Sequence, residues 1–428
     1  MALCQIINLS RVTRHFFCHA SRVTCHDFYM YLTEVTSPKT HRQFLNMVDT
    51  IYKGDPNYVR TLDSEIKDVF DPSQNSFFQH GEAARWILLN DEGDVIGRVA
   101  AFINSRKAFT FQQPTGGMGF FECIDNQEAA VMLFDQARNW LAARGMMAMD
   151  GPINFGENDV NWGLLVEGFT HPGFGMNYNP PYYKAFFEGY GFKFYFEQVS
   201  NHLDLTKPFP ERFWKIAEWC MRKPELKFRH FTYENAEKCI HDMKEVYDDA
   251  WKFHENFTPM EVATLKKSLE KAKSFIDPEM IWFVYHEEEP IAFLIQFPDV
   301  NQILRHLHGK LHLVNKIKFL WLKYRKTITR TRIVIMGVKP KYQRYGVESG
   351  IFWHLNEKMK HKPHITELEL SWVGDFNPKM RALHESVGAT FAKRHITYRK
   401  IFSADLEFQR STIIPVDTKE KALRQEGA

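Results

Sequence analysis

The sequence predicts an α/β fold made of two tandem copies of one unit, each a mixed, mostly antiparallel sheet flanked by helices. Two echoes along the 428 residues support this. The segment ARWILLNDEGDVIGRVAAFIN (84–104) reads as two strands around an acidic turn, and MIWFVYHEEEPIAFLIQFPD (280–299) reads the same way. Further on, NPPYYKAFFEGYGFKFYFE (179–197) is echoed by NPKMRALHESVGATFAKRH (377–395), each with Asn-Pro at a helix start and Gly at its end. Ile96 and Ile291 are 195 residues apart, and Glu188 and Glu385 are 197 apart. Two motifs in the same order at nearly one offset mark a duplication.

Taken in order, residues 1–30 are basic and nearly free of acids, with no continuous apolar stretch of the kind a secretory signal needs. Cys18-His19 and Cys25-His26 match no standard zinc spacing, and no metal is expected. The first unit spans 31–204. Its 116–145 segment predicts a strand and then a helix opening on an Asp125/Glu128 capping box, with Ala129, Leu133, Ala137, Trp140 and Leu141 on one face. The proline-bearing 205–225 segment connects the units through one helix, the second unit spans 226–402, and 403–428 is a polar tail.

Composition limits the function classes. With 44% hydrophobic residues and a net charge of +3, the chain is globular and carries no bulk charge suited to nucleic acid. Six cysteines without a CxxC pair predict a reducing compartment, hence the cytoplasm. No run approaches the roughly 18 apolar residues of a membrane span. Local charge is more telling, since no Asp or Glu occurs from Val300 to Val347 while Lys and Arg recur throughout. Within that window GKLHLVNKIKFLWLKYRK (309–326) mixes cations with apolar and aromatic residues. It predicts either a peripheral helix on an anionic inner-membrane face or a core helix with a solvated basic side. No base-stacking motif supports nucleic acid.

The stretch VKPKYQRYGVESG (338–350) follows the apolar RIVIM and leads directly into IFWHLNEKM. A strand ending in a basic, glycine-containing turn that becomes a helix aims free N–H groups at one point, and such a point attracts a phosphate. Here the residues resemble the GCN5-related N-acyltransferases (GNAT). IVIMGVKPKYQRYGVESG stands in place of that family's V-x-x-x-x-Q/R-x-x-G-x-G/A turn, and ELELSWVGDFNPKMRALHESVGA in place of its strand and closing helix. Glu348 departs from the pattern, standing where the family has a small residue. The resemblance implies two tandem GNAT-like units. Acyl-CoA is then a co-substrate held in the second unit by Val338, Gln343, Arg344, Tyr345, Gly346, Val347, Glu348, Ser349 and Asn377, with no permanently bound cofactor.

The glycine- and proline-rich loop 150–183 concentrates Asn154, Glu157, Asn158, Asp159, Trp162, Tyr178 and Asn179, which suits an amine acceptor site. Thioester aminolysis needs a proton acceptor and a donor for the leaving sulfur. Glu369, Glu157 and Asp159 are candidate bases. His384 stands where the family often has a tyrosine donor. GPINFGEND with WGLL, and ELSW with Asn377, further resemble tandem N-acyltransferases of the bacterial ceramide synthase type, which implies a long-chain (sphingoid) amine as acceptor. Two alternatives stay open: a non-catalytic acyl-CoA or lipid binder, and a tandem aminoacyl-transferase of the cell-wall peptide-bridge type.

Overall fold

The computed structural model describes residues 29–411 except 157–159, 253–256, 258 and 274. Glu157, Asn158, Asp159 and the two Cys-His pairs therefore lie outside the described residues. The strands are β1 (Tyr31–Glu34), β2 (Gly81–Leu89), β3 (Val95–Asn104), β4 (Thr115–Cys123), β5 (Ala148–Gly151), β6 (Leu164–Glu167), β7 (Lys193–Asp204), β8 (Leu226–His230), β9 (Ile281–His286), β10 (Glu289–Pro298), β11 (Arg330–Val338), β12 (Glu367–Gly374) and β13 (Thr390–Ile401). The helices are α1 (Pro38–Ile51), α2 (Asp63–Val69), α3 (Ser105–Ala108), α4 (Gln127–Ala142), α5 (Tyr183–Tyr190), α6 (Glu211–Met221), α7 (Ala236–Trp251), α8 (Val262–Ala272), α9 (Asn301–Leu304), α10 (Leu313–Tyr324), α11 (Val347–Met359) and α12 (Pro378–Ser386).

Both hairpins form where the alternation placed them, as β2–β3 and β9–β10. In each half a strand, a helix and a parallel strand then follow: β4–α4–β5 and β11–α11–β12. β3 and β10 are buried nearly throughout because helices cover both faces of the sheet, which explains their continuous apolar character. Helix α4 buries Ala129, Leu133, Ala137 and Leu141, the face its spacing implied. Its cap is Asn126, not Asp125: the Asn126 side chain accepts from the Ala129 amide, so the Asp125/Glu128 box does not form. The Asn-Pro signal also divides. Asn377 caps α12, whereas Asn179 lies outside α5.

The thirteen strands among the described residues join one sheet, in the order β1-β2-β3-β4-β5-β13-β7-β12-β11-β10-β9-β8, with β6 pairing β13. The closing strands are exchanged between the repeats. β13 pairs antiparallel with β5 of the first repeat, β7 pairs antiparallel with β12 of the second, and β7 and β13 pair with each other. The exchange pairs the edges that β5 and β12 would otherwise leave open.

Candidate active site

The site begins where a pairing stops. β11 and β12 are bonded from Arg330↔Glu367 to Ile333↔Leu370, and no further. Beyond that point Val334–Met336 and Ser371–Gly374 line opposite walls of a cavity of about 1500 Å³. The cavity passes through the sheet. On one side it is walled by Phe352 of α11 and by Met380, Leu383 and His384 of α12. On the other it is walled by Met243, Tyr247 and Trp251 of α7, by Leu265 and Leu269 of α8, and by Phe102, Phe155 and Trp162 of the first half. The equivalent place in the first half is closed: the Ile153 amide donates to the Met118 carbonyl at 2.9 Å, and a Cβ on Gly119 would lie 1.8 Å from the Ile153 carbonyl oxygen.

The turn after β11 leads into the N-terminus of α11, and none of Val338, Gln343, Arg344, Tyr345, Gly346, Val347, Glu348 and Ser349 lines the cavity; a Cβ on Gly346 would lie 3.0 Å from the Ile216 side chain of α6. Gly346 is the cap of α11 in the left-handed region (φ 71°), a conformation that needs glycine, and no side chain of the cap residue closes the terminus. Tyr345 is half-buried, Val347 and Ser349 are buried, and Arg344 is exposed. Val338 is buried at the end of β11, its carbonyl accepting from Gln343 Nε2 at 3.3 Å, while Gln343 Oε1 accepts from Lys379 at 3.1 Å. Lys339, one of the cations of the basic turn, is spent on structure: its ammonium bonds Glu245 at 2.6 Å and Glu289 at 2.9 Å. Burial pushes the half-buried Glu348 carboxyl up to about 7.

His384 lines the cavity next to the gap. Its Nδ1 lies 2.9 Å from Asn201 Nδ2, and because an amide nitrogen can only donate, the imidazole proton is assigned to Nε2. Burial pushes its pKa down to about 4, so the ring is neutral at pH 7. Asn377 also lines the cavity while capping α12.

Glu369 is placed differently from its expected role. It is fully buried and is not among the residues lining the cavity. Arg330 lies 3.7 Å away and Lys393 3.9 Å away. Burial pushes its pKa up, but Lys393, Arg330, Arg332 and His395 together hold it below the ordinary glutamate value. A carboxylate so stabilised by cations is a poor proton acceptor and a good counter-ion.

The 150–183 loop reaches the cavity only in part. Asn154 and Trp162 line the cavity, and Asn154 Oδ1 and Trp162 Nε1 have no hydrogen-bond partner among the described residues. Gly156 and Val160, which flank Glu157, Asn158 and Asp159, also line it. Tyr178 and Asn179 do not. The Tyr178 hydroxyl donates to Asp55 at 2.7 Å, and Asn179 bonds both the amide and the carbonyl of Leu165, so both side chains are used in holding the loop. Sequence reasoning missed Val334, Ser371 and Trp372 at the gap, because nothing local says where two strands part. It also missed Asp299 and Arg330, the latter signalled by the charged RTR at the start of an otherwise apolar strand.

No family model matches the sequence. The chain is 29% identical over 378 residues to the "Bacterial ceramide synthase" of Caulobacter vibrioides, covering 86% of this chain and 96% of that one. It is 26% identical over 369 residues to "Protein YghO" of Escherichia coli, covering 84% and 92%. Among solved structures, a tandem GNAT protein from the clavulanic acid biosynthesis pathway superposes with a TM-score of 0.54 at 10% identity over 88% of this chain and 100% of that one. The GCN5-related glucosamine N-acetyltransferase region of a fungal multi-domain β-N-acetylglucosaminidase gives 0.53 at 12% identity, covering 87% of this chain and 38% of that longer protein. The superpositions with those structures, which cover most of this chain, show that it carries the tandem GCN5-related N-acyltransferase fold.

Proposed function

We propose that the chain is an N-acyltransferase that moves a long acyl group from acyl-CoA to a primary amine, with a long-chain amine of sphingoid type as acceptor. The apolar cavity threading the gap between β11 and β12 carries this reading. A thioester arm in the gap pairs with the strand backbone around Ser371 and points its diphosphate toward the N-terminus of α11, where N–H groups and the helix field favour anions. Its acyl chain lies among apolar walls. At about 1500 Å³ the chamber exceeds the roughly 300–1,000 Å³ of sites for drug-sized ligands, room that suits hydrocarbon chains. The relative named for ceramide synthesis supports the choice of acceptor.

In the reaction the amine nitrogen attacks the thioester carbonyl, a C–N bond forms and the C–S bond breaks. The sulfur leaves as thiolate and the amine gives up a proton. His384, neutral and protonated on Nε2, serves as hydrogen-bond donor to the developing charge. Glu157 and Asp159, whose neighbours Gly156 and Val160 line the cavity, are the proton acceptors of the proposal.

The test incubates the purified full chain with a ladder of acyl-CoA lengths and a long-chain amine, read by mass spectrometry. The expected result is free CoA released in step with amide, fastest with long acyl chains, and slowed roughly 100-fold by His384→Ala. CoA release that ignores the amine, or binding without turnover at any length, overturns the reading.

A further inference from the structure

Helix α10 exposes its apolar side. Seven of the sixteen exposed large apolar side chains among the described residues fall between Leu311 and Tyr324. On the helix itself, Leu313, Val314, Ile317, Leu320, Trp321 and Tyr324 are each between 57% and 84% exposed. At 3.6 residues per turn these six fall within an arc of about 120°. Lys316 and Lys323 border one edge of the arc, and Lys318 and Arg325 the other, while Leu322 faces inward and is buried. A row of this size facing solvent calls for a partner.

We infer that this face of α10 docks into an anionic bilayer and sets the cavity mouth against the acyl layer, so that the lipid acceptor enters from the membrane rather than from water. The inference rests on the proposed lipid substrate and adds the route by which it arrives. Two observations choose the occupant. First, cations border the row on both sides and no Asp or Glu occurs from Val300 to Val347, which complements an anionic headgroup layer. A second copy docked on the same face would set cation against cation. Second, Leu311, Lys316, Phe319 and Leu320 line the cavity, so the exposed row continues into its wall. A chain leaving the bilayer along α10 stays in apolar contact, and Trp321 and Tyr324 are the residue types that settle at headgroup depth. Among the described residues no helix is long and apolar enough to span a membrane, so α10 lies in the interface plane.

The experiment compares the full chain with Ile317→Glu/Trp321→Glu and with Lys318→Gln/Lys323→Gln, substitutions at exposed sites that do not line the cavity. Sedimentation with vesicles of phosphatidylglycerol and phosphatidylcholine is read at low and high salt without substrate, and acyl transfer is read separately on a short soluble amine and on a long-chain amine in those vesicles. The unmodified chain is expected to bind anionic vesicles and to release them as salt rises. The glutamate pair should weaken binding at least tenfold and the glutamine pair severalfold. Transfer to the vesicle-borne amine should slow at least tenfold in the glutamate pair and severalfold in the glutamine pair, while both leave the soluble amine within twofold. Failure to bind vesicles with transfer intact overturns docking alone, whereas absence of transfer to either amine overturns the function reading alone. A dimer of the unmodified chain that dissociates in the glutamate pair assigns the face to a second copy and overturns the inference.

Discussion

Glu348 stands in the first turn of α11, the helix end to which the proposed function directs the diphosphate. Its carboxyl, pushed up to about 7 by desolvation, is largely neutral below that pH and an anion above it. The sign follows directly: a neutral carboxyl tolerates a neighbouring diphosphate, and the carboxylate repels it. Acyl-CoA affinity measured by calorimetry is therefore expected to fall as pH rises from 6 to 8, and Glu348→Gln should bind more tightly at pH 8 with a flatter profile. Equal pH profiles for the two proteins would mean that the diphosphate lies elsewhere. His384 teaches a related lesson. Sequence offers it as a proton donor, but enclosure between α12 and β7 holds it neutral, so the ring carries a single N–H.

At the scale of elements, the 150–183 loop is pinned to the second half by buried polar groups. Arg330 bonds Asp299 at 2.6 and 2.8 Å and reaches the carbonyls of His171 and Pro172. Asp299 also accepts from the Phe174 amide at 2.9 Å, Asn301 donates to the Pro172 carbonyl at 3.1 Å, and Arg332 donates to the Phe174 carbonyl. Arg330→Met would leave Asp299 buried without its cation, a loss of about 3–5 kcal/mol. Scanning calorimetry is expected to show a lower melting temperature, with limited proteolysis cutting near residues 168–175. Glu369→Gln separates the two roles offered for that residue. As counter-ion it should lower melting temperature while kcat stays within about threefold below the transition. A loss of roughly 100-fold in kcat with unchanged stability would restore the base assignment.

For the whole molecule, the exchanged strands bind the repeats into one folding unit. Residues 29–204 expressed alone would lack β13 between β5 and β7, and 205–411 would lack β7 beside β12. Each fragment would present a bare sheet edge, the usual route to aggregation. Either fragment alone is expected to elute as aggregate in size-exclusion chromatography, while coexpression yields a soluble pair. A monomeric fragment with cooperative unfolding would show that the exchange is dispensable.

Much of this was written locally. Period-two alternation placed both hairpins, helical spacing placed α4, proline and glycine bracketed α12, and the glycine of the basic turn marked the left-handed start of α11, because each signal acts within a few residues. The duplication was legible for the same reason, since its echoes repeat short motifs. What tertiary structure alone decided involves partners far apart in the chain. The pairing of Tyr398 with Gly151 and of Glu367 with Asp204 cannot be read from either strand, as any apolar strand can satisfy any open edge. The parting of β11 from β12 depends on what packs beneath each, and the cations around Glu369 come from two other strands, Arg330 and Arg332 from β11 and Lys393 from β13. The amphipathic character of α10 was in its spacing, but which side the rest of the fold would cover was not. Burial of Leu322 and exposure of the Ile317–Trp321 side are set by the surface the helix packs on, and only the assembled sheet supplies that surface.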